Sequence, residues 1–296
     1  MASAAVPSPP VREGWLDDPA LAPEAILGRM AGENFPVALR ALRPAIREAL
    51  VSVYGVARLI DQVGDAASGD RLAILDALET DVDASLVGEA QHPLLRRLTP
   101  VARTHGLTRE PFVALIDANR WDQRAPDLAS EAELDAYCAL SAAPVGALVL
   151  AVFGASTNEN RSDSDRVCAA LQVLEHCQDV AEDAAAGRCY LPGDLRRAAG
   201  VTRADLERVP APAALCRIVE QLVVRAERDL ARGASLCARL SGPARFAVSG
   251  FVGGGRATAD ALRTAGFDPN RAPVRPRKLR LARRAWQAWR GMAVAS

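Results

Sequence analysis

The sequence lacks the short motifs that identify several large enzyme classes. It contains no GxxxxGK(S/T) phosphate loop, no GxGxxG after a strand, no HExxH and no GxSxG. Histidine occurs only at positions 92, 105 and 176. No local motif therefore indicates a P-loop nucleotidase, a zinc protease, a serine hydrolase or a nicotinamide-dependent enzyme.

Aromatic residues and strand patterns are also scarce. The 296 residues include four Trp, three Tyr and six Phe, while Ala, Leu and Arg dominate. No stretch alternates apolar and polar residues as a half-buried strand does, and no repeat indicates a solenoid. We therefore predict an all-α protein with a disordered Pro/Ser/Ala-rich tail at 1–14, one helical domain at 15–270 and a basic tail at 271–296.

Signals for export and membrane insertion are missing. The N-terminus has no basic region followed by an apolar stretch, and the longest apolar run, residues 142–155, is too short to span a bilayer. Six cysteines without CxxC spacing are typical of buried, reduced thiols rather than zinc ligands or disulfides. We expect a cytoplasmic protein.

The charge is unevenly distributed. The formal net charge is zero, but residues 271–296 hold eight Lys or Arg and no acid, so the rest of the chain is acidic. An acidic body argues against nucleic-acid binding. The basic tail also contains Trp286 and Trp289, which predicts either an interfacial helix at the inner face of a membrane or a disordered tail.

Two pairs of aspartates are each spaced four residues apart in otherwise apolar, helical sequence. Asp61 and Asp65 form the first pair, and Asp179 and Asp183 form the second, with Glu182 beside it. On a helix such residues share one face. A single pair is usually solvated surface charge. Two facing pairs, however, would repel each other unless Mg2+ lay between them, and Mg2+ commonly binds substrate phosphates as well. The pattern predicts a diphosphate site.

Arginines and tyrosines accompany both pairs. Arg58 lies just before the first pair and Arg188 just after the second. These side chains, together with Mg2+, would offset the charge that builds on a departing pyrophosphate when an allylic or cyclopropylcarbinyl diphosphate ionises. The remaining carbocation needs an apolar cavity, which Tyr54, Tyr137 and Tyr190 would line unless they are core-packing residues.

Three stretches carry a family resemblance. YGVARLIDQVGD, YCALSAAPVG and QDVAEDAAAGRCYLP resemble, in order and spacing, the signatures of the squalene and phytoene synthase family of head-to-head prenyl transferases. The resemblance covers most of residues 30–265 and implies a single-domain isoprenoid-synthase helical bundle around a central active-site cavity. By position it assigns metal-binding carboxylates (Asp61, Asp65, Asp179, Asp183 and Glu182), diphosphate ligands (Arg58, Arg188 and Asn34) and catalytic cavity tyrosines (Tyr54, Tyr137 and Tyr190).

Further residues narrow the resemblance within the family. The ENFPVA opening at 33–38, the Asp122-Gln123 pair and Gln178 are most similar to the hydroxysqualene synthases of bacterial hopanoid pathways. That likeness implies Mg2+-dependent conversion of presqualene diphosphate and water into hydroxysqualene and pyrophosphate, which agrees with the missing nicotinamide motif. Two alternatives stay open: a presqualene diphosphate, squalene or phytoene synthase that condenses two prenyl diphosphates such as farnesyl diphosphate, and an inactive helical protein that binds isoprenoids or other enzymes of the same pathway.

The sequence departs from the family pattern at three positions. Gln62 stands where the family usually has a second Asp, Ala66 stands where an acid often follows, and Glu175 replaces a common Asn one turn before Asp179. The first two changes weaken the first acidic motif and the third adds charge to the second. We hypothesise that metal binding is shifted towards the second motif.

Overall fold

A computed structural model of the chain describes residues 13–32, 42–271 and 278–290. The described residues form helices joined by short loops, and their isolated β-bridge pairs Asp127 with Cys189 in parallel. The predicted all-α fold is confirmed. The helices are α1 Pro23–Gly28, α2 Pro44–Ala66, α3 Arg71–Val87, α4 Pro93–His105, α5 Glu110–Asp122, α6 Glu131–Ser141, α7 Ala143–Val152, α8 Asn158–Gln178, α9 Val180–Ala185, α10 Gly193–Ala199, α11 Ala213–Arg239, α12 Gly242–Thr264 and α13 Lys278–Trp289. Short 3-10 helices cover Glu13–Asp17, Pro19–Leu21, Arg29–Gly32 and Arg203–Glu207.

Local signals explain several helix ends. Asp70 accepts a hydrogen bond from the Ala73 amide at 3.1 Å and begins α3, and Thr157 accepts one from the Asn160 amide at 3.2 Å and begins α8. Pro44 occupies the first turn of α2, where no amide hydrogen is needed. Gly88 ends α3 in the left-handed conformation, with φ of 97°.

The chain builds two adjoining apolar cores. One core is formed by the N-terminal helices α1 to α5 with Leu148, Val149 and Val152 of α7. The other is formed by the later helices, chiefly α8, α11 and α12, with Ala118 of α5 and Leu150 of α7. Because α5 and α7 contribute to both cores, they join the two halves of the bundle.

The sequence predicts one long helix over 130–153 that is interrupted or bent near Pro144, and the structure has two helices that meet just before this proline. α6 and α7 meet at Ala142, whose φ of −118° and ψ of −46° redirect the chain just before Pro144. The combined segment Glu131–Val152 is the one part of the described chain that is long and apolar enough to cross a membrane. Much of it is buried among other helices, which is typical of a core helix.

The two predicted tails differ in what the structure describes. Residues 1–12 lie outside the described residues, and a 3-10 helix begins at Glu13. In the basic tail, α13 packs along α12. A Cβ atom on Gly253 would lie 2.3 Å from the Ala285 backbone nitrogen, so only glycine permits this approach. All six cysteines are free, and four of them are buried.

Candidate active site

One face of α2 carries the first acidic motif. Arg58, Asp61 and Asp65 follow one another at helical spacing, and Arg58 Nη1 lies 3.6 Å from Asp61 Oδ2. Gln62 is only 4% exposed and points into the core. Where the family usually has an acid, this chain therefore has a residue that packs in the core. Asp61 and Asp65 remain on the accessible face of α2.

α5 supports this face from behind. A Cβ on Gly64 would lie 2.0 Å from Asn119 Oδ1, so the absence of a side chain lets α2 and α5 meet closely. Asn119 hydrogen-bonds the Asp61 carboxyl through its side chain, and Gln123 Nε2 donates to the Gly64 carbonyl oxygen at 2.9 Å. The amides of α5 thereby fix the position of Asp61.

The second acidic motif spans a break between two helices. In the sequence, Gly187 and Pro192 predict that one helix carries this motif and ends near 186–187, but α8 ends at Gln178 and α9 begins at Val180, with Asp179 between them at φ −103° and ψ 19°. Hydrogen bonds still run from the Asp179 amide to the Glu175 carbonyl at 3.0 Å and from the Asp183 amide to the Asp179 carbonyl at 2.8 Å. The bend therefore changes the direction of the chain at the acidic motif while the turn-to-turn hydrogen bonding continues.

A glycine turn brings Arg188 back to the acidic motif. Gly187 has a φ of 82°, and the Arg188 amide donates to the Asp183 carbonyl oxygen at 2.8 Å, which closes the end of α9. Arg188 Nη1 lies 3.4 Å from Asp65 Oδ1. This contact joins the two acidic motifs, which are far apart in sequence.

The carboxylates of the two motifs act on one another. Burial, followed by the negative charges of Glu175, Asp183 and Glu182, raises the pKa of Asp179 to about 6. Burial likewise raises the pKa of Asp61 to about 6 against the opposing effect of Arg58, and Glu175 contributes there too. Since 45% of the Asp61 side chain is open to water, this carboxyl is not part of a dry core.

Among the described residues, those predicted to bind metal and diphosphate are carboxylates and arginines. In the described chain, no three carboxylate, histidine or cysteine side chains are close enough to surround a metal ion. The facing groups are carboxylate oxygen donors, which suit a cation that keeps water and phosphate among its ligands. Arg58 Nε and Arg188 Nε are both buried without a hydrogen-bond acceptor within the described residues.

A buried polar unit lies beside the motifs, and the sequence analysis missed its centre. Tyr137 and Tyr190 donate their hydroxyls to Asp122 at 2.8 and 2.6 Å. Burial raises the pKa of Asp122, and of both tyrosines. His176 stacks on Tyr190 with ring centroids 4.0 Å apart, and its Nδ1 lies 3.6 Å from Asp183 Oδ2. Asp122 entered the sequence analysis only as a point of family resemblance.

An apolar pocket of about 200 Å3 opens next to the second motif. Gln172 and Glu175 of α8 stand at its polar part, and side chains of α6, α7, α8, α11 and α12 form the rest, including Val149, Val248 and Phe251. A pocket with a charged end and apolar walls suits a ligand with a polar head and a hydrocarbon chain.

The structure brings together most of the predicted site residues. Arg58, Asp61 and Asp65 of α2 face the second motif and Arg188, while Tyr54 is half-buried one turn before Arg58 on α2. Glu182 is exposed and acts on Asp179 by its charge. Asn34 lies outside the described residues. The roles predicted for these residues stay predictions.

The fold and this site define a class of protein. The squalene/phytoene synthase family model matches residues 29–289, and the chain belongs to that family of head-to-head prenyl transferases. The resemblance stated from the sequence motifs is thereby confirmed.

Similar proteins within the family carry more than one activity. The chain is 35% identical to the presqualene diphosphate synthase of Zymomonas mobilis, over 69% of this chain and 71% of that protein. It is 36% identical to the hydroxysqualene synthase of the same organism, over 70% of this chain and 71% of that protein. The crystal structure of squalene synthase HpnC from Alicyclobacillus acidocaldarius matches with a TM-score of 0.77 and 36% identity, over 82% of this chain and 92% of that chain.

Proposed function

We propose that the protein is a hydroxysqualene synthase, which converts presqualene diphosphate and water into hydroxysqualene and pyrophosphate. The observation that supports diphosphate binding is the pair of buried, unpaired Nε atoms of Arg58 and Arg188, which lie beside Asp61 and Asp65 respectively. A buried guanidinium nitrogen without an acceptor is costly unless a ligand supplies one. A diphosphate offers charged oxygen acceptors to both arginines at once.

We propose that Mg2+ is the metal cofactor, held by Asp61, Asp65, Asp179 and Asp183 with Glu182 nearby. The raised pKa values of Asp61 and Asp179 report the mutual repulsion and burial that a divalent cation would relieve. When bound, Mg2+ would supply charge stabilisation to the departing pyrophosphate. The protein's own contribution is to hold the diphosphate between two arginines and keep the carboxylates oriented.

The chemistry that follows ionisation needs protection and a water molecule. The bond between the cyclopropylcarbinyl carbon and the diphosphate oxygen breaks, the carbocation rearranges, and water forms a new carbon–oxygen bond as its proton passes to the pyrophosphate. The apolar pocket beside Glu175 would shield the hydrocarbon chain from further water. Tyr137 and Tyr190 have their hydroxyl hydrogens engaged by Asp122, so their oxygens remain as acceptors that can orient the attacking water.

The second candidate is a presqualene diphosphate synthase that condenses two farnesyl diphosphate molecules. It is favoured by the similarity to proteins of that name, which reach 37% identity to this chain in Rhodopseudomonas palustris. The residues at 33–38, Asp122, Gln123 and Gln178 favour the first candidate, because they carried the resemblance to hydroxysqualene synthases.

One incubation separates the candidates. Purified protein with Mg2+ receives either presqualene diphosphate or farnesyl diphosphate, without NADPH, in water enriched in oxygen-18. We expect a labelled alcohol from presqualene diphosphate. Formation of presqualene diphosphate from farnesyl diphosphate alone would refute the proposal, and absence of Mg2+-dependent pyrophosphate release from either substrate would support an inactive isoprenoid-binding protein.

The proposed shift of metal binding towards the second motif has its own test. Asp179→Asn should reduce Mg2+-dependent turnover more than Asp61→Asn does, because three further acids act together around Asp179. The hypothesis fails if Asp179→Asn keeps turnover while Asp61→Asn abolishes it.

A further inference from the structure

The face formed by α12 and α13 exposes three aromatic side chains. Phe246, Trp286 and Trp289 are 45%, 50% and 45% exposed, and they are the large aromatic residues exposed in the described part of the chain. By contrast, Trp15 is 5% exposed and Trp121 is half-buried. Such side chains usually stay inside a protein unless a surface covers them.

α12 and α13 hold this face in a fixed position. Gly253 allows the α13 backbone to lie directly on α12, and Ala288 on the inner side of α13 is only 2% exposed. Arg245 of α12 donates its Nε to the Trp289 carbonyl oxygen at 2.9 Å, and its guanidinium carbon lies 5.6 Å from the centroid of the Trp289 ring. The aromatic side chains are therefore presented by a docked helix.

The same two helices are strongly cationic. Together with Arg290 they carry eight Arg or Lys residues and a single acid, Asp260, in a protein of zero formal net charge. Asp260 is already engaged by Arg284, with two hydrogen bonds of 2.8 Å. Arg256 Nη1 is buried and meets no acceptor in the described chain, and burial together with the charge of Arg284 lowers the Arg256 pKa. Asp260 and Glu227 of α11, which pairs with Arg263, leave most of the arginine side chains that the structure describes on this face without an acidic partner in the described chain.

We propose that the α12–α13 face binds the surface of a lipid bilayer rich in anionic phospholipid. Tryptophan and phenylalanine suit the boundary between headgroups and acyl chains, and arginine is attracted to anionic headgroups. Arg290 already lies with its guanidinium carbon 4.5 Å from the Trp286 ring centroid, so charge and aromatic surface occur together. A second copy pairing through the same face would set two cationic surfaces against each other, which disfavours a symmetric dimer.

The α12–α13 face lies close to the apolar pocket, which gives lipid binding a role in product release. Val248 and Phe251 of α12 line the apolar pocket, while Phe246 and Gly253 of the same helix belong to the α13 side. A single helix thus separates the pocket from the proposed lipid contact. A water-insoluble C30 product would then leave the pocket close to the bilayer. This role in product release rests on the proposed function, whereas the lipid binding itself does not rest on it.

Intrinsic fluorescence tests the proposal in the full-length protein. Unilamellar vesicles of phosphatidylcholine, with or without about a third phosphatidylglycerol, are titrated into the protein. We expect a blue shift of tryptophan emission with the anionic vesicles only, weakened by about 0.5 M salt, since Trp15 and Trp121 are shielded and Trp286 and Trp289 report the contact.

Paired variants make the test specific. Trp286→Ala with Trp289→Ala should abolish the blue shift and lower co-flotation with anionic vesicles by roughly tenfold. Leu72→Ala removes an equally exposed apolar side chain, 46% exposed on α3, and should leave co-flotation unchanged. Arg290→Gln should weaken flotation, whereas Arg232→Gln, at an exposed position on α11, should not.

Three outcomes would overturn the proposal: equal binding to neutral and anionic vesicles, equal loss in the Leu72 and tryptophan variants, or concentration-dependent self-association that the tryptophan variant removes. Circular dichroism confirms that each variant is folded. Activity on detergent-dispersed presqualene diphosphate should be unchanged in the tryptophan variant, so that an inactive protein that floats normally refutes the proposed function and leaves the lipid contact standing.

Discussion

Gly64→Ala probes the contact on which the position of Asp61 depends. The new Cβ would lie 2.0 Å from Asn119 Oδ1 and 2.9 Å from its Cγ, far inside normal contact distance. Asn119 is 8% exposed and donates its Nδ2 to the Leu115 carbonyl oxygen at 3.1 Å, so its side chain has little freedom to move aside. Either the amide rotates or α2 and α5 separate.

The expected loss of stability follows from these contacts. Overpacking of a buried contact typically costs about 1–3 kcal/mol, and each buried polar group left unpaired costs about 1–3 kcal/mol. The higher helix propensity of alanine returns roughly 1 kcal/mol. We therefore expect the free energy of unfolding to fall by about 2–4 kcal/mol, which lowers the melting temperature by roughly 4–12 °C in a chain of this size.

Thermal unfolding followed by circular dichroism measures the change, and Gly254→Ala is the matched control. Gly254 also lies inside a helix, but nothing stands within 4 Å of the Cβ it would gain. The control should be as stable as the parent or slightly more stable. If Gly64→Ala has the same melting temperature as the control, the close approach of α2 and α5 does not constrain Asp61.

Three further predictions concern the site and the C-terminal helix. Because the pKa of Asp179 is about 6 in the folded protein against an ordinary value of 3.8, the folded metal-free protein holds the extra proton, and its stability falls as pH rises from 3.8 through 6. In urea titrations with chelator, the free energy of unfolding of Asp179→Asn relative to the parent should therefore rise by about 1–2 kcal/mol between pH 5 and pH 8. A difference in unfolding free energy that does not change with pH would refute this. Tyr190→Phe should reduce turnover of the diphosphate substrate at least tenfold, with Tyr190→His no better, because the hydroxyl bonded to Asp122 is lost; unchanged turnover contradicts it. Gly253→Ala should detach α13 from α12, because the new methyl group would meet the Ala285 backbone, and limited proteolysis should then cleave the chain near residue 278. A chain that stays intact would show that α12 and α13 accommodate the methyl group.

The sequence predicted the helices well where local signals mark their ends. The sequence predicts helices over 71–87 and 93–105, and α3 and α4 have these bounds, because Asp70, Gly88, Pro93 and Gly106 stand at the helix ends. The break at Asp179 has no such signal. Backbone hydrogen bonding continues through it, and Val180 and Ala184 beyond the bend pack in the second core, a long-range contact that no local pattern marks.

Long-range contacts explain what the sequence analysis missed at the site. The sequence allows His176 to be either a surface residue or a supporting residue of the site; it is 7% exposed and stacks on Tyr190, which excludes the surface alternative. His92 lies in a loop, as the sequence indicates, and it caps α4 and stacks on Trp15 with ring centroids 5.6 Å apart. Each contact joins residues distant in sequence or across a turn, where helical periodicity carries no information. The acidic pairs were found because each is local to one segment.

The two apolar cores give the site a mechanical property. Arg58 belongs to α2 in the first core, whereas Arg188 follows α9 in the second. A diphosphate held by both arginines would act as a crosslink between the two cores, which are also connected by α5 and α7. Ligand binding should then increase the cooperativity of unfolding as well as its midpoint, so that calorimetric traces sharpen when pyrophosphate and Mg2+ are added. The bound substrate would then be part of the tertiary structure, because its diphosphate joins the two cores at the site where it reacts.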